Sequence, residues 1–179
     1  MPRIIYRHQP ATRFVVSAIG EPGQREFFIQ VKSENNFNTV AIDKGQVMAL
    51  SERFEELIRE LRRGKLATPA ELTAPAVQDN EPLELPIESD FTVGVISITW
   101  ENDFVVVNIQ AASQDDELLI DDIDYGPDLI VANLKINQIR GFCERANLVV
   151  NAGRPACPFC PLPVDPLGHL CPRANGYRR

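Results

Sequence analysis

The feature that most constrains the fold is an order of elements that occurs twice. Residues 46–53 read QVMALSER and residues 138–145 read QIRGFCER. Both segments carry apolar residues at helical spacing, and each follows three short stretches rich in β-branched and aromatic residues. The dipeptide Ile-Gln also recurs, at residues 29–30 and 109–110. The pattern predicts an internally duplicated β-β-β-α unit, and chance similarity between two amphipathic helices is the alternative.

Capping residues delimit the two predicted helices. Asp43 is expected to cap the first helix with Gln46 as its capping-box partner, and Gly64 is expected to end it. The second helix is expected to stop at Gly153. The apolar stripes that predict the helices are Val47, Leu50, Phe54, Leu57 and Leu61 in the first, and Ile139, Phe142, Ala146, Val149 and Val150 in the second.

Two such units are expected to share one core, because each alone would expose a face of its sheet. The predicted fold class is α+β: six or seven mainly antiparallel strands with two helices, plus a small C-terminal zinc knuckle. The predicted division is a first β-β-β-α repeat at residues 1–64, a linker at 65–90, a second repeat at 91–153 and a zinc-binding tail at 154–179. The linker is expected to lack regular structure, since it holds four prolines. Residues 113–128 are predicted to form a solvated acidic loop, because EF-hand spacing is absent.

The C-terminal segment carries the strongest chemical motif. Three of the four cysteines and one of the two histidines fall within residues 157–171. A Cys-x-x-Cys turn opposite a His-x-Cys segment can close a tetrahedron around Zn²⁺. The predicted ligands are Cys157, Cys160, His169 and Cys171. Four protein ligands leave no position for a reactive water, so the predicted zinc is structural.

Other interpretations of these thiols are weaker. A redox Cys-x-x-Cys normally opens a helix, whereas prolines at 158, 161, 163 and 166 forbid a regular helix here. A disulfide framework needs an oxidising compartment, and the N-terminus does not resemble a signal peptide. A deaminase-type zinc site would need a His-x-Glu or Cys-x-Glu segment, which the chain lacks. Asp165, His8 or a water are the alternatives to His169 as fourth ligand, and Cys143 is expected to be a buried small hydrophobe.

Charge is distributed unevenly along the chain. Residues 1–134 hold eleven Lys/Arg and twenty-three Asp/Glu, a net charge of −12, whereas residues 135–179 hold seven and two, a net charge of +5. We expect Arg173, Arg178 and Arg179 to contact carboxylates of this chain, of a second copy or of a partner. The acidic body would repel a nucleic acid, so that partner class is disfavoured. No apolar run approaches the length of a membrane helix.

The C-terminus resembles that of a bacterial protein family, domain-of-unknown-function family 3090. The residues that carry the resemblance are Gly153-Arg154-Pro155-Ala156-Cys157-Pro158-Phe159-Cys160 and the stretch from Pro163 to Tyr177 that contains Gly168-His169-Leu170-Cys171. The segment at 13–28, with Gly20-Glu21-Pro22-Gly23, also fits the family. The resemblance implies a cytoplasmic bacterial protein without an established activity, and it transfers no catalytic residues.

Three function classes remain open. The chain contains no P-loop, G-x-G-x-x-G, G-x-S-x-G or H-E-x-x-H motif, and a Ser/His/Asp site would have to use His8. We therefore expect a zinc-binding adaptor or binding protein, with catalysis less favoured and catalytic residues unassigned. The alternatives are an enzyme with its active site in a cleft between the repeats and, more weakly, a nucleic-acid-binding zinc knuckle.

Overall fold

Seven strands form one mixed sheet in the computed structural model of the chain, which describes residues 2–114, 125–152 and 160. The order of strands across the sheet is β1-β7-β6-β5-β4-β3-β2. The elements are β1 (Ile5–His8), β2 (Arg13–Ile19), β3 (Glu26–Lys32), β4 (Phe37–Ile42), α1 (Lys44–Arg63), α2 (Pro69–Thr73), β5 (Phe91–Glu101), β6 (Phe104–Ala111), β7 (Leu129–Leu134) and α3 (Ile136–Asn151).

The α+β class is confirmed, but the prediction of a mainly antiparallel sheet with two helices is wrong. Strands β1 and β7 pair in parallel, as do β4 and β5, so the sheet is mixed. The described residues also form a third helix, α2. The parallel contact of β4 with β5 arises because the long connection at 65–90 returns the chain to the end of the sheet where β4 began.

Each half of the chain contains a meander of three strands followed by a long helix, and β1 precedes the first meander. Strands β2, β3 and β4 form an antiparallel meander before α1, and β5, β6 and β7 form another before α3. The β5–β6 hairpin turns at Asn102 and Asp103, which both have positive φ, as a two-residue type I′ turn requires. The common element order agrees with the predicted repeat without testing common ancestry.

The two edges of the sheet are joined by residues 9–12, because β1 and β2 stand at opposite ends of the strand order. The Ala11 N–H donates to the Asn133 carbonyl on β7 at 3.0 Å, and the Thr12 N–H donates to the Lys32 carbonyl on β3 at 2.7 Å. Helix α3, which follows β7, also packs against β2. The sheet is therefore curled until its edges nearly meet.

The capping residues predicted for α1 are confirmed. Asp43 is the N-cap, Gln46 completes a capping box and Gly64 is the C-cap. The buried residues of this helix are the predicted Val47, Leu50, Phe54, Leu57 and Leu61. Helix α3 ends at Asn151, and the predicted stop at Gly153 lies outside the described residues.

The main core lies between the sheet and the helices α1 and α3. Phe14 of β2, Phe54 of α1 and Phe142 of α3 form its centre, with ring centroids 5.2–6.3 Å apart. Aromatic pairs in such tilted or edge-to-face arrangements add about 0.5–1.5 kcal/mol each beyond their buried area. Both long helices are thus held to the sheet through one aromatic cluster.

The connection at residues 65–90 is bound to the body rather than lacking structure. The backbone of Glu84 both donates to and accepts from the Gln30 side chain, at 2.8 and 2.9 Å. Asp79 accepts from Arg13 of β2 at 2.7 Å and from Arg145 of α3 at 3.3 Å. The Arg13 guanidinium holds the pKa of Asp79 below its usual value. This segment therefore connects strands β2 and β3 with helix α3 through hydrogen bonds and ion pairs.

Several sequence predictions are not tested by this fold. The domain boundaries at 64, 90 and 153 stay predictions, and most of the acidic loop, residues 115–124, lies outside the described residues. Within the described ranges, no helix is long and apolar enough to span a bilayer.

Candidate functional site

Three of the four predicted zinc ligands, at positions 157, 169 and 171, lie outside the described residues. The fourth, Cys160, is described and is buried to 6% exposure. Within the described ranges no group of three or more His, Cys, Asp or Glu side chains could hold a metal. The zinc site therefore stays a prediction.

His8 is excluded as a replacement ligand in this conformation, because both of its ring nitrogens are engaged. Its Nδ1 lies 3.0 Å from the Ser33 hydroxyl and its Nε2 lies 2.8 Å from Asn38 Oδ1. Cys143 is also unsuited to metal binding: it is buried, and its thiol donates to the Ser51 carbonyl at 3.5 Å. Burial raises the pKa of Cys143 to about 11, so the thiol is protonated at neutral pH.

The structure brings a different set of residues together, in a groove of about 580 Å³ between α1 and α3. We call this feature the helix groove. Met48, Glu52, Glu55, Ile58 and Arg59 line it from α1. From α3 it is lined by Arg140, Cys143, Glu144, Ala146, Asn147, Val150 and Asn151. Its lining combines apolar side chains with three carboxylates and two guanidinium groups.

The base of the helix groove is formed where the two helices cross. Ser51 and Cys143 touch there, and they hold the same place in QVMALSER and QIRGFCER. The glutamines of the two motifs also behave alike. Gln46 donates from Nε2 to the Gly94 carbonyl of β5 at 3.2 Å, and Gln138 donates to the Ala11 carbonyl beside β2 at 3.0 Å. Gln46 of α1 therefore contacts β5, and Gln138 of α3 contacts the connection that leads into β2.

Two charged groups of the groove are used to hold the connection at 65–90. Arg140 donates to the carbonyls of Leu72 and Ala74, and Glu144 accepts from Gln78 Nε2 at 2.8 Å. Glu52 and Glu55, by contrast, form no ion pair with any residue of the described ranges. Met48 beside them is 46% exposed. The groove thus offers two unpaired carboxylates next to an exposed apolar side chain.

A second polar arrangement surrounds His8, which is fully buried on β1. Asn38 donates from Nδ2 to Asp90 Oδ2 at 2.9 Å, which turns its Oδ1 towards the histidine. The proton of the neutral ring therefore lies on Nε2, and Nδ1 accepts from the Ser33 hydroxyl. Desolvation lowers the pKa of His8 below its ordinary value. The network connects β1 to the β3–β4 hairpin and to the start of β5.

Sequence reasoning predicted a cleft between the repeats but not the residues that line it. It also singled out His8 without its partners, because Ser33 and Asn38 lie 25 and 30 positions away. Gln46 and Gln138, which recur in the two repeated motifs, were the sequence signal that each long helix contacts the other half of the chain.

Comparison with known proteins gives one result. A family model described as protein of unknown function (DUF3090) matches residues 6–171. Neither a curated protein nor a solved structure matches the chain significantly.

Proposed function

The chain belongs to the DUF3090 family, whose description names no activity, and from that premise we propose that it is a binding or adaptor protein. In this proposal the helix groove receives a segment of a partner protein, while one structural Zn²⁺ organises the C-terminal segment. The observation that carries the proposal is the groove itself, with the exposed side chain of Met48 and its unpaired carboxylates.

The lining of the groove defines the kind of segment it fits. Met48, Ile58 and Val150 offer apolar surface, and Glu52 and Glu55 lie one helical turn apart on the same side. An amphipathic segment that carries arginine or lysine beside apolar residues matches both features. Because rim charges mainly steer association, the apolar contacts are expected to supply most of the affinity.

The groove is tested by placing the photocrosslinking residue p-benzoylphenylalanine at Met48 in living cells. Leu85, which is 82% exposed and is not among the groove residues, provides the matched control position. A partner crosslinked only from position 48 is then purified, and its affinity is measured by calorimetry against the parent protein, E52K/E55K and the control variant E88K/E101K.

Reversing both groove charges should weaken binding at least tenfold, whereas the control reversal should change it less than twofold. Tenfold corresponds to about 1.4 kcal/mol, which is within the range of two lost charge contacts. Equal affinities for the two variants would contradict a binding role for the helix groove.

The proposed zinc is held by Cys157, Cys160, His169 and Cys171. Their spacing supports the proposal, and so does the burial of Cys160, since ligands of a closed structural site are shielded from solvent. Zinc would cross-link a segment with little apolar surface of its own, and a reducing cytoplasm keeps thiols available as ligands. Elemental analysis of the purified protein should find one zinc per chain, and replacing any one of the four should lower that content.

We also propose that the two halves arose by duplication and retain a local twofold relation. The contact between Ser51 and Cys143 supports this, because equivalent residues meet on a twofold axis. Exchanging them in the double variant S51C/C143S should leave the free energy of unfolding within about 1 kcal/mol of the parent, since the pair of groups is preserved. A loss much larger than that would argue against equivalent environments.

A second candidate, an acyl hydrolase, is favoured by one observation only. His8 Nδ1 is placed to accept the proton of the Ser33 hydroxyl, and Asn38 orients the ring from the other side. The test is labelling with a fluorophosphonate probe, with S33A and the exposed control S89A. Labelling lost in S33A and kept in S89A would support this candidate, and an unlabelled parent protein would remove it.

A further inference from the structure

The C-terminal segment begins at the edge of the helix groove. Val150 and Asn151, in the last turn of α3, line the groove, and the chain continues from there into residues 153–179. This segment carries four arginines and a single carboxylate, Asp165, so its net side-chain charge is +3. A basic segment is thus attached directly beside a groove that is lined by the carboxylates of Glu52 and Glu55 as well as by Arg59.

The groove can supply the counter-charges. Glu52 and Glu55 lie on the wall contributed by α1, and neither forms an ion pair within the described ranges. The arginines with the greatest freedom to approach them are those after the last predicted zinc ligand, at 173, 178 and 179. Guanidinium groups suit this role because each can bind a carboxylate through two parallel hydrogen bonds.

The available length of chain is sufficient. From Asn151 to Arg173 the backbone can span up to about 70 Å when fully extended. The α1 side of the groove, from Met48 to Arg59, is about 17 Å long. A zinc cross-link between residues 157 and 171 shortens the segment but leaves the residues after 171 within range.

We propose that the basic end of the chain, residues 172–179, occupies the helix groove of the same molecule through ion pairs of its arginines with Glu52 and Glu55. The inference rests on the proposed function, because it makes this segment the resident ligand that a partner must displace. Covalent attachment gives it an effective concentration on the order of millimolar, so individually weak pairs are enough to keep the groove occupied. Because the contacts are ion pairs between exposed groups, occupancy of the groove should fall as the salt concentration rises.

The test uses the purified, zinc-loaded full chain with p-benzoylphenylalanine at Met48. Irradiation at low salt should give a crosslink from position 48 to a peptide within residues 172–179. The product should migrate as a monomer, and its yield should not depend on protein concentration. The probe at Leu85 serves as the control and should give no such product.

Charge variants supply the second readout. The variant R173E/R178E/R179E should reduce the crosslink yield several-fold, and combining it with E52K/E55K should restore much of the yield. The control E88K/E101K should change nothing. Circular dichroism spectra matching the parent show that each variant is folded, and hydrogen exchange of residues 48–59 provides the same comparison without a crosslinker.

Two results would overturn the inference. The first is a yield that the arginine reversals leave unchanged, and the second is a product of dimer mass that increases with protein concentration, which would identify a second copy as the occupant. The proposed function fails separately, if no partner distinguishes E52K/E55K from E88K/E101K. A partner that binds the groove while residues 172–179 never crosslink would refute only this inference.

Discussion

Gly141 marks the closest approach between helix α3 and the connection at 65–90. A Cβ atom at this position would lie 3.1 Å from the carbonyl carbon and 3.2 Å from the nitrogen of Val77, and closer still to the Val77 oxygen. These are backbone atoms, so no side-chain rotation can relieve the overlap. We therefore predict that Gly141→Ala forces residues 76–78 away from α3 by roughly an ångström.

The energetic cost follows from the contacts at this crossing. The Val77 N–H donates to the Asn137 carbonyl at 3.0 Å, and the Arg145 guanidinium donates to the Asp79 carbonyl at 2.6 Å. Each such hydrogen bond contributes about 0.5–1.5 kcal/mol, and overpacking adds about 1–3 kcal/mol. Alanine returns at most about 1 kcal/mol through its higher helix propensity. These terms sum to a net loss of about 1–5 kcal/mol, and because a shift of about an ångström weakens the hydrogen bonds rather than removing them, we expect about 2 kcal/mol of unfolding free energy.

Equilibrium unfolding in urea, followed by circular dichroism, measures this loss. With a slope of about 2 kcal/mol per molar urea, the midpoint should fall by about 1 M. Gly45→Ala is the matched control, because a Cβ on Gly45 would meet only the Asp43 carboxylate, at 3.1 Å, and no backbone atom. That carboxylate caps α1, so the control should lose at most about 1 kcal/mol, part of which the higher helix propensity of alanine offsets. Equal midpoints for the two variants would show that the connection is not held against α3 at Val77.

Three further predictions concern His8, Asp79 and the metal. Desolvation lowers the pKa of His8 below 6.5, so as the pH falls the unfolded state binds a proton before the folded state does. The free energy of unfolding should therefore decrease between pH 7 and pH 5, by up to about 1.4 kcal/mol per pH unit. In H8Q the urea midpoint should change less with pH over this range. An unchanged pH dependence would show that groups other than His8 cause it. Asp79→Asn should lower the free energy of unfolding by about 1–3 kcal/mol in the same assay, since it leaves two half-buried arginines without their carboxylate. The exposed control E101Q should lower it by less than about 0.5 kcal/mol. Removing the metal with a chelator should make the segment after Gly153 sensitive to trypsin while the circular dichroism of residues 1–153 is kept. The reason is that metal ligation, on the order of 10 kcal/mol, organises only that segment. Cooperative unfolding of the whole chain would instead place the metal in the main core.

Helix α1 could be predicted in full because its determinants are local. Asp43, Gln46 and Gly64 act within one turn of the helix ends, and the five apolar residues follow the helical period. The hairpin at Asn102 and Asp103 was predictable for the same reason. In both cases the residues that determine the local structure lie within a few positions of it along the chain.

Strand β1 and the connection at 65–90 were missed because their stabilisation is not local. Four residues at the N-terminus become a strand only by pairing with β7, and nothing in residues 5–8 records that partner. Alternation along β3 places Gln30 on the polar side of the strand, yet it is 1% exposed because the Glu84 backbone covers it and satisfies its amide. Alternation along a strand cannot reveal a second segment that crosses it.

The helix groove was foreseen only as a cleft between repeats. Its carboxylates, Glu52 and Glu55, belong to the polar face of α1, where a charged residue is normally a solvated one. Their significance depends on the position of α3 across from them, where Cys143 contacts Ser51 and Phe142 packs against Phe54. The sequence therefore shows which charged groups α1 carries, but not that they face α3 across a groove.

The closure of the sheet by β1 has a consequence for how the chain is made. Residues 5–8 leave the ribosome before the residues with which they pair, 129–132, which are translated 124 positions later. Contacts of such sequence separation form slowly, and until then the strand leaves its own backbone groups and the β7 position unpaired. A chain interrupted before residue 129 keeps that open edge, the kind of surface on which β-aggregation begins. Once residues 129–132 have been translated, β1 can cover β7, so this pairing forms only after both strands have been made.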